Sequence, residues 1–360
     1  MTKKDEVQEK IRTQILENEF KGIVLSSVRS GKTRILLNCV KTQTYFENPR
    51  VLILYPNVDI KVSWENEQEL IGFKPNITYC TFASIHTQLD KEYDIVLVDE
   101  AHLLGEENQL PMCAEIVKKH KCAILASGTF SSDTMYNIIF HTGFKLIVNY
   151  PTEKAIEDGL VSDYKVFIHS YNVDNTIKKQ YGKAKKWQNT ELGELNRMER
   201  NIMFASNERL KMFHSLERMR FINTCDSLKN AVSKWISENQ NKRFLMFCAD
   251  SKISEYYGLP TYNSKSNDDS NLGEFQIGRI NQLVLVKKAA QGVTFPNLDT
   301  VLITAINSNN EVFEQMLGRS LLKDTDEAKI HVFVSNMDFQ IKWMNKALIK
   351  VPSQKIIRVN

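Results

Sequence analysis

Two short stretches concentrate the groups that could do chemistry in this chain: Ser26-Ser27-Val28-Arg29-Ser30-Gly31-Lys32-Thr33 and Asp99-Glu100-Ala101-His102. A small-residue loop ending in Gly-Lys-Thr offers an anion backbone N–H groups and a cation, provided that a helix starts there. Lys32 would then reach the β and γ phosphates of a nucleotide, and the Thr33 hydroxyl would ligate Mg²⁺. Ser30, Gly31 and Arg34 would line the same cradle. The paired carboxylates suit the opposite side of a metal-bound polyphosphate. Asp99 can hold the metal through water, and Glu100 can orient an attacking water. Each stretch alone has a bland reading, a chance Gly-Lys-Thr or a strand that ends in an acidic turn. Lys32 and Asp99 stand 67 residues apart, each just after an apolar run, and the two together point to one phosphate site.

The elements that would position these groups are legible around them. Gly22-Ile23-Val24-Leu25 reads as a short strand before the loop, and Arg34 to Val40 has apolar spacing compatible with a helix. Ile95-Val96-Leu97-Val98 reads as a strand buried on both faces, the signature of a parallel sheet. Ligands collect at the carboxyl ends of such strands. Further strands are expected at Val51–Tyr55, stopped by Pro56, at Ile77–Phe82 and over Cys122–Phe130. A first helix is expected on Val7, Ile11 and Ile15, and another with Ile60, Trp64 and Leu70 on one face, where Trp64 reads as core before stacking platform. Strand and helix alternate about five times, which predicts a mostly parallel sheet with helices on both faces. Asn149-Tyr150-Pro151 marks a boundary, giving domains of 1–150 and 151–360. The second half offers strands at Asp163–Ile168, Arg243–Asp250, Ile280–Val286, Asp299–Ile303 and Ile330–Val334, with 263–274 as a polar surface loop.

Taken in order, these motifs resemble those of superfamily 2 helicases and translocases, the broad group with a DEAH box that includes type III restriction and UvrB-like enzymes. The resemblance runs from about residue 8 to 335. Ser26 and Arg29 depart from it, standing where many such loops have Gly or Ala. The resemblance implies a fold of two RecA-like domains, each a mostly parallel sheet with helices on both faces, with a basic helical segment in the second. It implies adenine contact for Gln8, with Gln14 as a rival. Thr81 and Ser84 would touch a nucleic-acid backbone, or else serve as strand-end turn residues. His102, Ser127 and Thr129 would couple hydrolysis to domain movement, with Gly128 where the group usually has alanine. Lys287 to Pro296 resembles motif V, where Gly292 would allow close backbone approach. Gln315 and Arg319, in Gln315-Met316-Leu317-Gly318-Arg319-Ser320-Leu321-Leu322, would face the γ-phosphate, Arg319 as a charge-neutralising finger. Leu322 replaces the pattern's last arginine.

Composition bounds the partners. Apolar residues make up 42% and charged residues 25% of 360, the balance of a globular chain, and no run approaches the ~20 apolar residues of a membrane span. The opening residues are polar and the six cysteines scattered, so a reducing, cytoplasmic setting is expected, in a bacterial or phage-infected cell. The net charge of +4 says little, but residues 178–220 hold eleven Lys or Arg against five Glu. That segment, about 172–240, reads as a helical element over a nucleic-acid backbone through Lys183, Lys185 and Lys186, or as a solvated face of mixed charge. The expectation is therefore an ATP- and Mg²⁺-dependent helicase or translocase. DNA is its expected track before RNA, and it would act as a monomeric motor or beside replication and recombination proteins. A duplex translocase that separates no strands is the first alternative, and a nucleic-acid-binding module with a weakened ATPase the second.

Overall fold

The computed structural model describes residues 2–27, 29–105, 107–182, 186–249, 251–262, 270–286, 295, 298–306, 313, 316 and 327–359. The chain divides into two compact units, Met1–Ser162 and Asp163–Asn360.

The first unit is built on six strands: β1 (Lys21–Ser26), β2 (Arg50–Tyr55), β3 (Asn76–Thr81), β4 (Ile95–Asp99), β5 (Cys122–Ser127) and β6 (Leu146–Tyr150). Their order is β3-β2-β4-β5-β1-β6 and every pairing is parallel. The sequence dictates this: Val51–Leu54, Ile95–Val98 and Cys122–Ala126 are apolar without alternation, and all are buried. A strand apolar on both faces needs cover on both, and parallel neighbours need crossovers that helices supply. The helices are α1 (Lys3–Glu17), α2 (Lys32–Thr42), α3 (Val58–Ile71), α4 (Gln109–Lys119), α5 (Ser132–Thr142) and α6 (Thr152–Glu157). Helix α1 starts at a capping box, Thr2 and Asp5 satisfying each other's backbone N–H, and buries Val7, Ile11 and Ile15 at four-residue spacing. In α3, Ile60 and Trp64 are buried but Leu70 is 72% exposed. Six residues past Trp64, Leu70 has turned off the buried face, so the stripe expected on Ile60, Trp64 and Leu70 holds for two of the three.

The second unit carries β7 (Asp163–Tyr171), β8 (Lys179–Tyr181), β9 (Trp187–Asn189), β10 (Phe244–Cys248), β11 (Thr261–Tyr262), β12 (Gln282–Val286), β13 (Thr300–Ile303), β14 (Glu327–Ser335) and β15 (Ile356–Val359). Seven of these form a sheet of order β11-β12-β10-β13-β14-β7-β15, again with all pairings parallel. Its helices are α7 (Glu191–Met203), α8 (Glu208–Ile222), α9 (Asp226–Glu238), α10 (Ser251–Tyr256), α11 (Ser270–Gln276) and α12 (Asp338–Ala347). Among the described residues, no helix is long and apolar enough to cross a membrane.

Three local expectations change. The segment 172–240 is not wholly helical: it opens with a two-stranded antiparallel ribbon, β8 against β9, before α7, α8 and α9. The Lys179 ammonium fixes that ribbon, bonding Glu191 and Asp226 at 2.7 Å each. Residues 270–274 are helical rather than loop, because Leu272 and Phe275 are buried together at three-residue spacing. A last strand, β15, adds itself beside β7.

Candidate functional site

In a parallel sheet the carboxyl ends of the strands share one edge, and sheet order then sets who meets whom. Strand β5 lies between β1 and β4, so the tip of β5 separates the loop after β1 from the acids after β4. Ser127 ends β5, and there its hydroxyl lies 2.7 Å from His102 Nδ1 and 3.4 Å from Glu100 Oε2. Ser127 also donates to the Thr129 carbonyl at 2.7 Å and accepts from the Thr129 N–H at 3.1 Å. Ser127 Oγ thus sits among an imidazole, a carboxylate and a carbonyl. His102, Ser127 and Thr129 are thereby joined, and all three are buried.

The loop before α2 turns sharply at Arg29 and Gly31. Arg29 takes φ 69° and Gly31 φ 87°, both in the left-handed region. Backbone conformation favours glycine at position 31, and Gln8 lies against it. Any side chain there would be strained, and a Cβ would lie 2.3 Å from Gln8 Nε2. Gln8 occupies that space because its amide donates to the Ser30 carbonyl at 2.8 Å. The first loop position carries Ser26 where a glycine is usual. Its hydroxyl donates to Ser30 Oγ at 2.7 Å inside the buried loop, so the extra atoms are absorbed by a hydrogen bond. Helix α2 begins at Lys32 with Gly31 as its cap, and a glycine has no side chain to cap the first-turn N–H groups. A helix start of this kind suits an anion.

Lys32 Nζ stands 3.8 Å from Glu100 Oε1, which places the loop's cation against the acid at the end of β4. Glu100 takes φ 50° and is partly exposed, a strained backbone of the sort that functional residues carry. Asp99 is buried. Its Oδ1 accepts from the Glu100 N–H and its Oδ2 from Trp64 Nε1, both at 2.9 Å. Burial, then the neighbouring Glu100 charge, push its carboxyl up to about 6 against the pull of Lys32. Each Asp99 oxygen keeps a lone pair for one further partner. Trp64 is thus core, as its apolar helix face suggested, and it also orients Asp99. An indole N–H that is buried needs an acceptor, but the sequence does not say which of several acids supplies it.

The other expected residues disperse. Arg34 forks onto Glu67 of α3, at 3.1 and 3.2 Å, and lines a cavity of about 320 Å³ with Gln8, Glu9, Arg12 and Asn38. Gln14 does not line that cavity, whereas Gln8 does. Thr81 ends β3, an edge strand of the first sheet, and its hydroxyl donates to Ser84 Oγ at 3.4 Å. Lys186 is exposed beside the ribbon, and Trp187 is held there by donating to Glu194 at 2.9 Å. Lys183, Lys185, Gly292, Gln315 and Arg319 lie outside the described residues.

The residues at this edge are of types that fit a nucleotide phosphate and its metal. The start of α2 carries its own lysine, Lys32, and among the described residues the buried hydroxyls Ser27 Oγ and Thr129 Oγ1 lack a hydrogen-bond partner. A buried carboxylate, Asp99, stands beside a partly exposed one, Glu100. Thr33 and Asp99 are the residues that would hold Mg²⁺.

Comparison with known proteins gives a partial match. A family model described as thymidine kinase matches residues 22–143, less than half of the chain. No curated protein matches. Among solved structures the chain is similar to S. cerevisiae Dbp5 bound to RNA and ADP BeF3, with a TM-score of 0.64 at 13% identity over 98% of this chain and 89% of that one. It is similar to Mss116p bound to ssRNA and AMP-PNP, with a TM-score of 0.60 at 15% identity over 98% and 74%. It is similar to the Pyrococcus furiosus Hef helicase domain, with a TM-score of 0.51 at 12% identity over 94% and 97%. At such identities the likeness speaks for the fold, which is that of two RecA-like α/β domains, the architecture of those helicases.

Proposed function

We propose that this chain is a nucleic-acid-stimulated ATPase of the superfamily 2 helicase and translocase type. The observation that carries this reading is the meeting of Lys32 and Glu100, 3.8 Å apart at the ends of two parallel strands, with Asp99 buried beside them. The two-domain fold shared with helicases supports it.

In this reading Lys32 and the first-turn N–H groups of α2 take the β and γ phosphates. Mg²⁺, when bound through Thr33 and Asp99, neutralises phosphate charge. Trp64 keeps Asp99 in one orientation for that task. Glu100 orients the water that attacks the γ-phosphate, and the attack releases phosphate and ADP. The bonds among Glu100, Ser127, His102 and Thr129 let a change at the γ-phosphate reach the loop after β5. Gln8 reads the base beside Ser30. The motif resemblance assigns Gln315 and Arg319 to the γ-phosphate and Gly292 to a close backbone approach. Thr81, Ser84 and Lys186, with Lys183 and Lys185, contact the nucleic-acid backbone, which fixes position without reading sequence. DNA is the track expected from the sequence. Dbp5 and Mss116p were solved with RNA, so both polymers belong in the test.

A second reading, phosphoryl transfer to a nucleoside, has the thymidine kinase model over residues 22–143 in its favour. One experiment separates the two. Phosphate release from ATP is followed alone, with single-stranded DNA, duplex DNA or RNA, and with thymidine, in wild type and Lys32→Ala. Release that a polymer stimulates and Lys32→Ala loses supports the ATPase. Conversion of thymidine to its monophosphate without free phosphate would replace it.

A further inference from the structure

Helices α7 and α8 pack against each other, and α8 carries a side that the unit leaves uncovered. Helix α8 has 15 residues yet buries only Ile222. On it, Arg209, Phe213, Leu216 and Arg220 are all exposed and recur at intervals of four, three and four, which aligns them along one side. Phe213 is 58% exposed. At the end of α7 the pairing repeats: Arg200 precedes by one turn Phe204, which is 77% exposed. Exposed rings aligned with arginines in this way suit an interaction surface.

The charges decide what fits it. All five glutamates of the two helices already hold a cation: Glu191 with Lys179, Glu194 with Arg197, Glu199 with Arg218, Glu208 with Lys211 and Glu217 with Arg197. Among the described residues Arg200, Arg209 and Arg220 have no carboxylate partner. The exposed side of α8 therefore presents Phe213 and Leu216 between uncompensated guanidinium groups, and the end of α7 adds Arg200 and Phe204. An apolar protein partner would strip water from those guanidiniums and give nothing back. A polymer with flat π faces and a phosphate on every unit satisfies both.

We infer that the α7–α8 face is a binding platform for single-stranded nucleic acid. Bases stack on Phe213 and Phe204, and phosphates pair with Arg209, Arg220 and Arg200. Arg209 to Arg220 spans about 16 Å of helix, roughly the rise of five stacked nucleotides. The inference rests on the nucleic-acid-stimulated ATPase reading and adds a preference for unpaired strands, since base faces inside a duplex are already occupied.

The test is fluorescence anisotropy with a labelled oligothymidylate of about 15 nucleotides and the matching duplex. Wild type is compared with Phe213→Leu, Phe204→Leu and the double substitution Arg209→Gln with Arg220→Gln, each first shown to keep the wild-type melting temperature. Wild type is expected to bind the single strand more tightly than the duplex. Either leucine variant keeps apolar area but loses the ring, and should weaken single-strand binding about fivefold or more. The glutamine pair should lower the slope of log affinity against log salt by about 1.4. Single-strand affinity and slope unchanged in all variants would overturn the platform while leaving the ATPase reading intact. A shift from dimer to monomer with affinity unchanged would assign the face to a second copy instead. No binding of either oligonucleotide by wild type, with no polymer-stimulated hydrolysis, would sink both.

Discussion

Replacing Gly31 by alanine should expose how the phosphate loop and α1 are locked together. The new Cβ lies 2.3 Å from Gln8 Nε2, so the amide must leave its bond to the Ser30 carbonyl. That hydrogen bond contributes about 1 kcal/mol. Holding alanine at φ 87° costs a further ~1–2 kcal/mol. Gly31→Ala should therefore destabilise by about 2–3 kcal/mol, and Gln8→Ala alone by about 1 kcal/mol. In the Gln8→Ala background the obstacle is gone and only backbone strain remains. The double variant should then cost about 1 kcal/mol less than the sum of the singles. Urea unfolding followed by far-UV circular dichroism, on the transition that both single variants move, measures all four proteins. Additivity within about 0.3 kcal/mol would refute the steric coupling and with it the placement of Gln8 against the loop.

Trp64→Phe keeps the ring in the core but withdraws the N–H from Asp99. It should destabilise by about 1.5–3 kcal/mol in urea and raise the Mg²⁺ concentration needed for half-maximal hydrolysis, and an unchanged Mg²⁺ requirement would count against Asp99 as a metal ligand. His331 donates to or accepts from His169 across 2.8 Å, and burial pushes its imidazole down to about 3, so the folded state holds it neutral. Its contribution is complete above the unfolded value of about 6.5. It is lost as pH falls, since the unfolded chain takes the proton first, by about 2 kcal/mol between pH 7 and pH 5. Melting temperatures across that range should fall less steeply in His331→Asn than in wild type. Arg319→Ala should abolish turnover while a fluorescent ATP analogue still binds; retained turnover would remove the finger from the scheme.

The sequence exposes best what is contiguous. Unbroken apolar runs such as Ile95–Val98 announce a parallel sheet, and a carboxylate pair that follows one must stand at its ligand edge. What escaped depends on pairs far apart in the chain. Trp64 and Asp99 are 35 residues apart, and Gln8 and Ser30 are 22 apart. No local spacing encodes either bond. The ribbon β8–β9 has no alternating apolar pattern, because Lys179-Gln180-Tyr181 and Trp187-Gln188-Asn189 are fixed by an ion pair and an indole hydrogen bond rather than by a core. Residues 270–274 looked like loop because two buried side chains among polar neighbours give too short a period to read. The positive excess over 178–220 was visible in composition. Which cations are spent within the fold, and which stay free on α8, follows only from the ion pairs.

Single-turnover hydrolysis of ATP by wild type and Glu100→Gln, with and without the polymer that stimulates most, tests the central claim most directly. The proposed chemistry expects Glu100→Gln to bind ATP with affinity near that of wild type but to hydrolyse it at least about a hundredfold more slowly, polymer present or not. Hydrolysis in Glu100→Gln at the wild-type rate would contradict it, because the water would then be oriented by some other group.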